Sequence, residues 1–184
     1  MDIMSRKISA IIAHKILAEP KVMGTFVLMI GTLSLGGALI SQYVFGLHPC
    51  VLCIYQRWPH GIAIALGMAT LFLGAQQKQK SASFVLLVAS LTFFIGSAIA
   101  FYHTGVEQKW WSGTDGCGFP KTGAGDFESF KDALMNAPVA RCDEIPWSLL
   151  GISMAGYNFM LSLGAGLISL AGSICVIRKA NKML

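Results

Sequence analysis

Charge is what this chain has least of. Asp, Glu, Lys and Arg make up 12% of its 184 residues, about half the share of an ordinary soluble domain. The charges that exist are clustered, which leaves long runs with none. With 54% hydrophobic residues and a mean hydropathy of +0.62, a soluble globular domain is excluded and a single membrane domain is expected. Also missing is any basic patch interleaved with aromatics, so the net charge of +5 does not point to nucleic acid. A cleaved leader is not expected: the first apolar run is too long for a signal core, and Gly46-Leu47-His48 is a poor cleavage site. There is no internal repeat and no low-complexity segment. The second CxxC of a typical zinc module is absent, and the nine methionines form no metal pattern.

Against these absences stand four apolar runs, at about 22–46, 50–75, 82–102 and 147–177. Each is long enough for a span, which takes about 20 residues. The expected fold is an all-α membrane protein, a four-transmembrane-helix bundle occupying residues 22–178. Gly24, Gly31, Gly36 and Gly37 lie along the first run, where small residues let helices approach closely. Residues 103–146 form a long loop outside the membrane. It is expected to carry a short amphipathic helix over Asp126–Met135, with Phe127, Phe130 and Leu134 on one face. Residues 1–21 read as an amphipathic surface helix or a disordered segment, and 179–184 as a tail. Of the fourteen Lys and Arg, nine fall in the N-terminal segment, the 76–81 connection and the tail. The positive-inside rule then places both termini in the cytoplasm and the long loop outside.

Four of the five cysteines, Cys50, Cys53, Cys117 and Cys142, map to the outer side. Cys175 maps to the cytoplasmic end of the last run and reads as an inert thiol. This division matches an oxidising exterior and a reducing interior. Cys50-Val51-Leu52-Cys53 closes so short a loop that its disulfide gains little stability, which favours reversible redox over stapling. Pro49 suits a helix start, so both thiols sit at a helix N-terminus with Arg57 one turn on, and both features favour a thiolate. Cys117 and Cys142 bracket a glycine-rich segment, where a disulfide would be open to attack. From the residues alone several readings stay open. The four cysteines, or the first pair with His48 and His60, could hold zinc. Both pairs could be structural disulfides. His48, His60 and His103 could ligate haem. By spacing alone Arg57 snorkels to lipid phosphate, His48, His60 and His103 are interfacial, Asn158 bonds a neighbouring helix, and Glu107 and Asp115 are solvated loop charges.

Pro49-Cys50-Val51-Leu52-Cys53-Ile54-Tyr55-Gln56-Arg57 resembles the motif of the DsbB family of bacterial inner-membrane disulfide-forming oxidoreductases. Tyr102-His103-Thr104-Gly105-Val106-Glu107 resembles the close of that family's third span. Cys142-Asp143-Glu144-Ile145-Pro146-Trp147, followed by Leu150-Gly151-Ile152-Ser153, resembles the start of its fourth. The resemblance implies a protein-dithiol:quinone oxidoreductase of the inner membrane that supports disulfide bond formation, with the loop in the periplasm. It implies that Cys117 forms the mixed disulfide with a DsbA-like thioredoxin-fold thiol oxidase and that Cys142 is its mate. Cys50 and Cys53 would take over the electrons, with Cys53 meeting the ring of a membrane quinone, ubiquinone or menaquinone. Arg57 would stabilise the reduced, anionic quinone, and His103 would lie near it.

Overall fold

The computed structural model describes residues 14–114, 117 and 140–182. Among them four helices are long and apolar enough to cross a membrane: α1 (Pro20–Tyr43), α2 (Val51–Ala75), α3 (Gln79–Glu107) and α4 (Met154–Lys182). At 1.5 Å per residue they are roughly 35–45 Å long, enough to span a hydrocarbon core of about 30 Å. Proline marks two of the starts: Pro20 opens α1, and Pro49 precedes Cys50, the N-cap of α2. α2 runs on through Pro59, which packs against Gly96 of α3. The expected amphipathic helix at 126–135 and residues 1–13 lie outside the described residues. Residues 14–17 are helical.

Two boundaries differ from the expectation. α3 continues through Glu107, beyond Tyr102, so His103 and Glu107 stand one turn apart on a helix. Trp147–Ser153 is not the first part of the fourth helix. Ser148–Leu149 (β1) and Ile152–Ser153 (β2) form a small antiparallel hairpin, pairing Ser148 with Ser153 and Leu149 with Ile152. The two loop residues, Leu150 and Gly151, have φ of 51° and 79°. Two left-handed residues in succession make the turn whose twist suits a hairpin. Glycine takes this conformation freely, and Leu150 takes it with its side chain 90% exposed.

α3 packs chiefly on α4, α1 on α2, and α2 joins the two pairs through α3. A serine ladder fastens α3 to α4. Ser83, Ser90 and Ser97 donate to the carbonyls of Ser173, Gly166 and Phe159, at 2.9, 2.8 and 3.3 Å. Donors and acceptors both step by seven residues in opposite directions, the repeat of antiparallel helices in a left-handed supercoil. α1 and α2 meet through glycine. A Cβ on Gly67 would lie 2.7 Å from the Leu28 nitrogen, and one on Gly31 would lie 2.9 Å from the His60 carbonyl oxygen. Further along α1, Gly36 and Gly37 meet nothing within 4 Å; here α1 leaves room for the cavity described below.

Gly67→Val should lower the stability of the bundle by about 2 kcal/mol, since the obstruction is backbone and cannot rotate away. Unfolding of the detergent-solubilised protein with a stronger detergent, followed by loss of helical signal, measures this. Wild-type stability in the variant would contradict so close an approach of α1 and α2.

Candidate functional site

The N-terminus of α2 places the first sulfur couple. Cys50 caps the helix, its Sγ accepting the Cys53 backbone N–H at 3.2 Å, and its thiol donates to the Cys53 sulfur at 2.9 Å. Both thiols are free, with Cys50 buried and Cys53 partly exposed. That hydrogen bond, and burial after it, raises Cys50 well above the ordinary thiol pKa, so it keeps its proton at neutral pH.

Cys117 and Cys142 are joined to each other, with Cα atoms 5.0 Å apart. Their disulfide is not open as expected: both cysteines are buried, packed in one cluster with Cys50, Leu52 and Val106. The sulfurs of Cys50 and Cys142 and a ring nitrogen of His103 all lie within 4.8 Å of one another. The four predicted site cysteines therefore meet at one end of the bundle. Cys175, free and buried, lies 21 residues along α4 from Met154, roughly 30 Å away along the helix.

Polar side chains surround the couple. The Gln56 amide nitrogen lies 2.8 Å from His103 Nδ1, and His103 Nε2 lies 3.5 Å from Cys50 Sγ. Asn158 of α4 donates to Gln56 Oε1 at 2.6 Å and accepts from His60 Nε2 at 2.8 Å. Asn158 thus bonds a neighbouring helix, as expected. His60 is buried at 4% exposure and is not interfacial. Glu107 is not a solvated loop charge: it is buried, accepts a hydrogen bond from Ser153 of β2, and stands 3.9 Å from His103. The pairing follows from the extra turn of α3 and from the hairpin. Asp115 lies outside the described residues.

Beside the couple is a cavity of about 600 Å³, walled by apolar groups such as Leu33, Leu47, Met154 and Leu161 and lined by Cys50 and Cys53. Arg57 also lines it. Its guanidinium is held by α1, through Gln42 Oε1 at 2.6 Å and the Ala38 carbonyl at 3.5 Å, while its Nε is buried without a partner. Volume and lining are those of a small-molecule site. Cys50, His103 and Cys142 are the one group of possible metal ligands among the described residues, and it is not the four-cysteine set that the zinc reading needs. Cys117 and Cys142 are bonded to each other and not available as thiolates, and among the described residues His48, His60 and His103 do not converge on one point.

Two cysteine couples in contact at the end of a four-helix membrane bundle, next to an apolar cavity, define a membrane thiol–disulfide oxidoreductase. The family model described as disulfide bond formation protein DsbB matches residues 20–172. An uncharacterized protein of Rickettsia prowazekii (strain Madrid E) is 26% identical over 164 residues, covering 88% of this chain and 91% of that protein. Disulfide bond formation protein B of Xanthomonas axonopodis pv. citri (strain 306) is 30% identical over 150 residues, 78% of this chain and 84% of the relative. The protein of the same name from Xylella fastidiosa (strain Temecula1) is 32% identical over 141 residues, 72% and 78% of the two chains. No solved structure matches the chain at a significant level. The chain belongs to the DsbB family, and it is an oxidoreductase of disulfide formation and a multi-pass protein of the bacterial inner membrane.

Sequence reasoning passed over Gln56 as a site residue. The available signal was a polar amide inside an otherwise apolar run, one turn after Cys53, since a polar group in a span must find a partner in the protein.

With the chain reduced at the first couple, a thiol-alkylating reagent should label Cys53 roughly tenfold faster than Cys50, because Cys50 is buried and holds its proton. Peptide mass spectrometry after brief labelling at pH 8 reads the ratio. Equal rates would contradict the direction of the sulfur–sulfur hydrogen bond.

Proposed function

We propose that this protein re-oxidises a periplasmic DsbA-like thiol oxidase and passes the two electrons to a membrane quinone. The observation that carries this reading is the contact of Cys142 with Cys50 beside a cavity lined by Cys53. In the proposed sequence a thiolate of the partner attacks Cys117, a sulfur–sulfur bond forms between them, and Cys142 leaves as a thiolate. The second partner thiolate resolves that bond, releasing the partner as a disulfide. Cys142, when Cys50 and Cys53 are joined, attacks Cys50 and frees Cys53 into the cavity. Cys117 then closes back on Cys142, which restores Cys50 as a thiol. The net exchange is a partner dithiol for a disulfide.

A quinone in the cavity would supply the acceptor for two electrons and two protons. The residues fit such a ring: an apolar wall for its body, and the cationic side chain of Arg57 on the same wall for one of its oxygens. The Arg57 guanidinium would draw negative charge towards that oxygen. His103 would hold Cys50 in place, its ring fixed by Gln56. In this reading the membrane domain is 22–178, with residues 1–21 and 179–184 in the cytoplasm. Nine of fourteen basic residues then lie on the cytoplasmic side, which supports that orientation.

Anaerobic stopped-flow with purified protein, a reduced thioredoxin-fold thiol oxidase and a defined quinone tests the proposal. Cys53→Ser should abolish loss of quinone absorbance with any reductant. Cys117→Ser should abolish it with the protein partner while a small dithiol still reacts. Equal loss with both reductants would contradict separate intake and exit couples.

Arg57→Ala should raise the apparent KM for quinone by roughly tenfold, the loss of one charge-assisted hydrogen bond. Steady-state rates against quinone concentration check this. An unchanged KM would return Arg57 to anchoring α2 on α1.

A further inference from the structure

His103 stands against the reacting sulfurs, and one backbone group decides which of its nitrogens carries hydrogen. The Gln56 amide lies 3.3 Å from the Leu52 carbonyl oxygen, and a carbonyl only accepts, so the amide atom there is nitrogen. The same nitrogen lies 2.8 Å from His103 Nδ1 and donates to it. A neutral imidazole carries one hydrogen, which is therefore on Nε2. A second proton would set an Nδ1–H head to head with the amide N–H, so Gln56 also holds the ring neutral. Nε2 lies 3.5 Å from Cys50 Sγ, within reach of a hydrogen bond to sulfur, and 3.9 Å from Glu107 Oε1, too far for one to oxygen. The Cys142 carbonyl, an acceptor, also faces the ring. Glu107 is engaged on its other side: Ser153 Oγ accepts the Gly156 N–H at 3.1 Å, which leaves its own hydrogen for Glu107 Oε2.

A fixed donor beside a sulfur favours negative charge on that sulfur. Such charge forms in the exchange sequence above when Cys117 closes back on Cys142. The bond between Cys117 and Cys142 forms, the bond between Cys142 and Cys50 breaks, and the electron pair stays on Cys50 Sγ. We infer that the neutral Nε2–H of His103 stabilises Cys50 as the leaving sulfur of this step, and that Gln56 is the positioning residue that keeps His103 a donor and denies it the role of a base. The inference rests on the exchange reading above and needs no quinone. His103 keeps its own hydrogen throughout. The proton that makes Cys50 a thiol again is one of the two given up by the partner's thiols. A ring nitrogen of His103 lies within 4.8 Å of the Cys50 and Cys142 sulfurs alike, so the donor stands beside both ends of the bond that breaks.

The test uses the full-length protein in detergent, with both couples oxidised and no quinone added, mixed without oxygen with a reduced thioredoxin-fold thiol oxidase. Acid quenching, alkylation and peptide mass spectrometry give the rate at which Cys50 and Cys53 appear as thiols. His103→Phe should slow this rate roughly tenfold, the loss of one hydrogen bond in a buried site. His103→Gln should recover most of the rate, because its amide N–H can stand in for Nε2–H. Gln56→Glu keeps the size of the side chain and the bond from Asn158, but turns the donor at Nδ1 into an acceptor. His103 then takes a second proton as pH falls, and the charged ring is the stronger donor. The titratable groups facing the ring are Cys50 of α2, Glu107 of α3 and Cys142 of the loop, with Ser153 approaching from the start of α4 through Glu107. All are the same in both proteins, so the rate of Gln56→Glu relative to wild type should rise severalfold from pH 8 to pH 6. His103→Gln as slow as His103→Phe overturns donation to the sulfur. A ratio that is flat with pH overturns the part given to Gln56, and this arm stands even where His103→Phe does not fold. Failure of the wild-type protein to pass electrons from the partner to Cys50 and Cys53 overturns the exchange reading and this inference with it.

Discussion

Inside a membrane bundle a polar group has no water to turn to, and must find its partner within the protein. That single requirement organises this molecule. It aligns α3 and α4 through serines that donate to carbonyls seven residues apart. It ties Arg57 of α2 to Gln42 and Ala38 of α1, and Glu107 of α3 to Ser153 of the hairpin. Above all it makes Gln56 a hub, with α2, α3 and α4 joined through one amide. Each bond constrains the next, since an amide with one end committed has no choice at the other. Removing the Leu52 carbonyl from the chain of bonds would leave two histidines free to choose their tautomers.

The same constraint separates two kinds of chemistry within a few ångströms. Cys142 is fully buried among Cys50, Leu52 and Val106, and is bonded to Cys117, which is buried in the same cluster. Cys53, at the first turn of α2, borders the cavity. Cys50 stands between them, against Cys142 on one side and Cys53 on the other. Thiol exchange needs a sulfur reachable from water, and a lipid-dissolved acceptor needs an apolar pocket. A helix N-terminus at the membrane edge meets both needs, because its first turn faces the loop and its next turns face the bundle.

The spans were legible because apolar runs of this length have few other uses, and the redox couple because a CxxC followed by arginine is a compact pattern. The hairpin was not legible. Leu149-Leu150-Gly151-Ile152 is apolar throughout and reads as helix, while the turn puts a leucine where Asn or Asp is usual. Glu107 looked like a loop residue because the apolar run before it stops at Tyr102. The helix goes on because Ser153 is there to receive the carboxylate. Ser83, Ser90 and Ser97 stand at a visible repeat of seven, yet nothing along the chain says which carbonyls they meet.

What the sequence alone determined was the set of parts: four spans, a thiol pair at a helix start, a second pair in a long loop, and membership of a family that uses such pairs. These depend on neighbours along the chain, where composition and short spacing suffice. The tertiary structure decided which parts touch. Cys50 meets Cys142 across 92 positions, and His60 meets Asn158 across 98. Contacts of that kind arise from helix packing, which spacing along the chain does not specify.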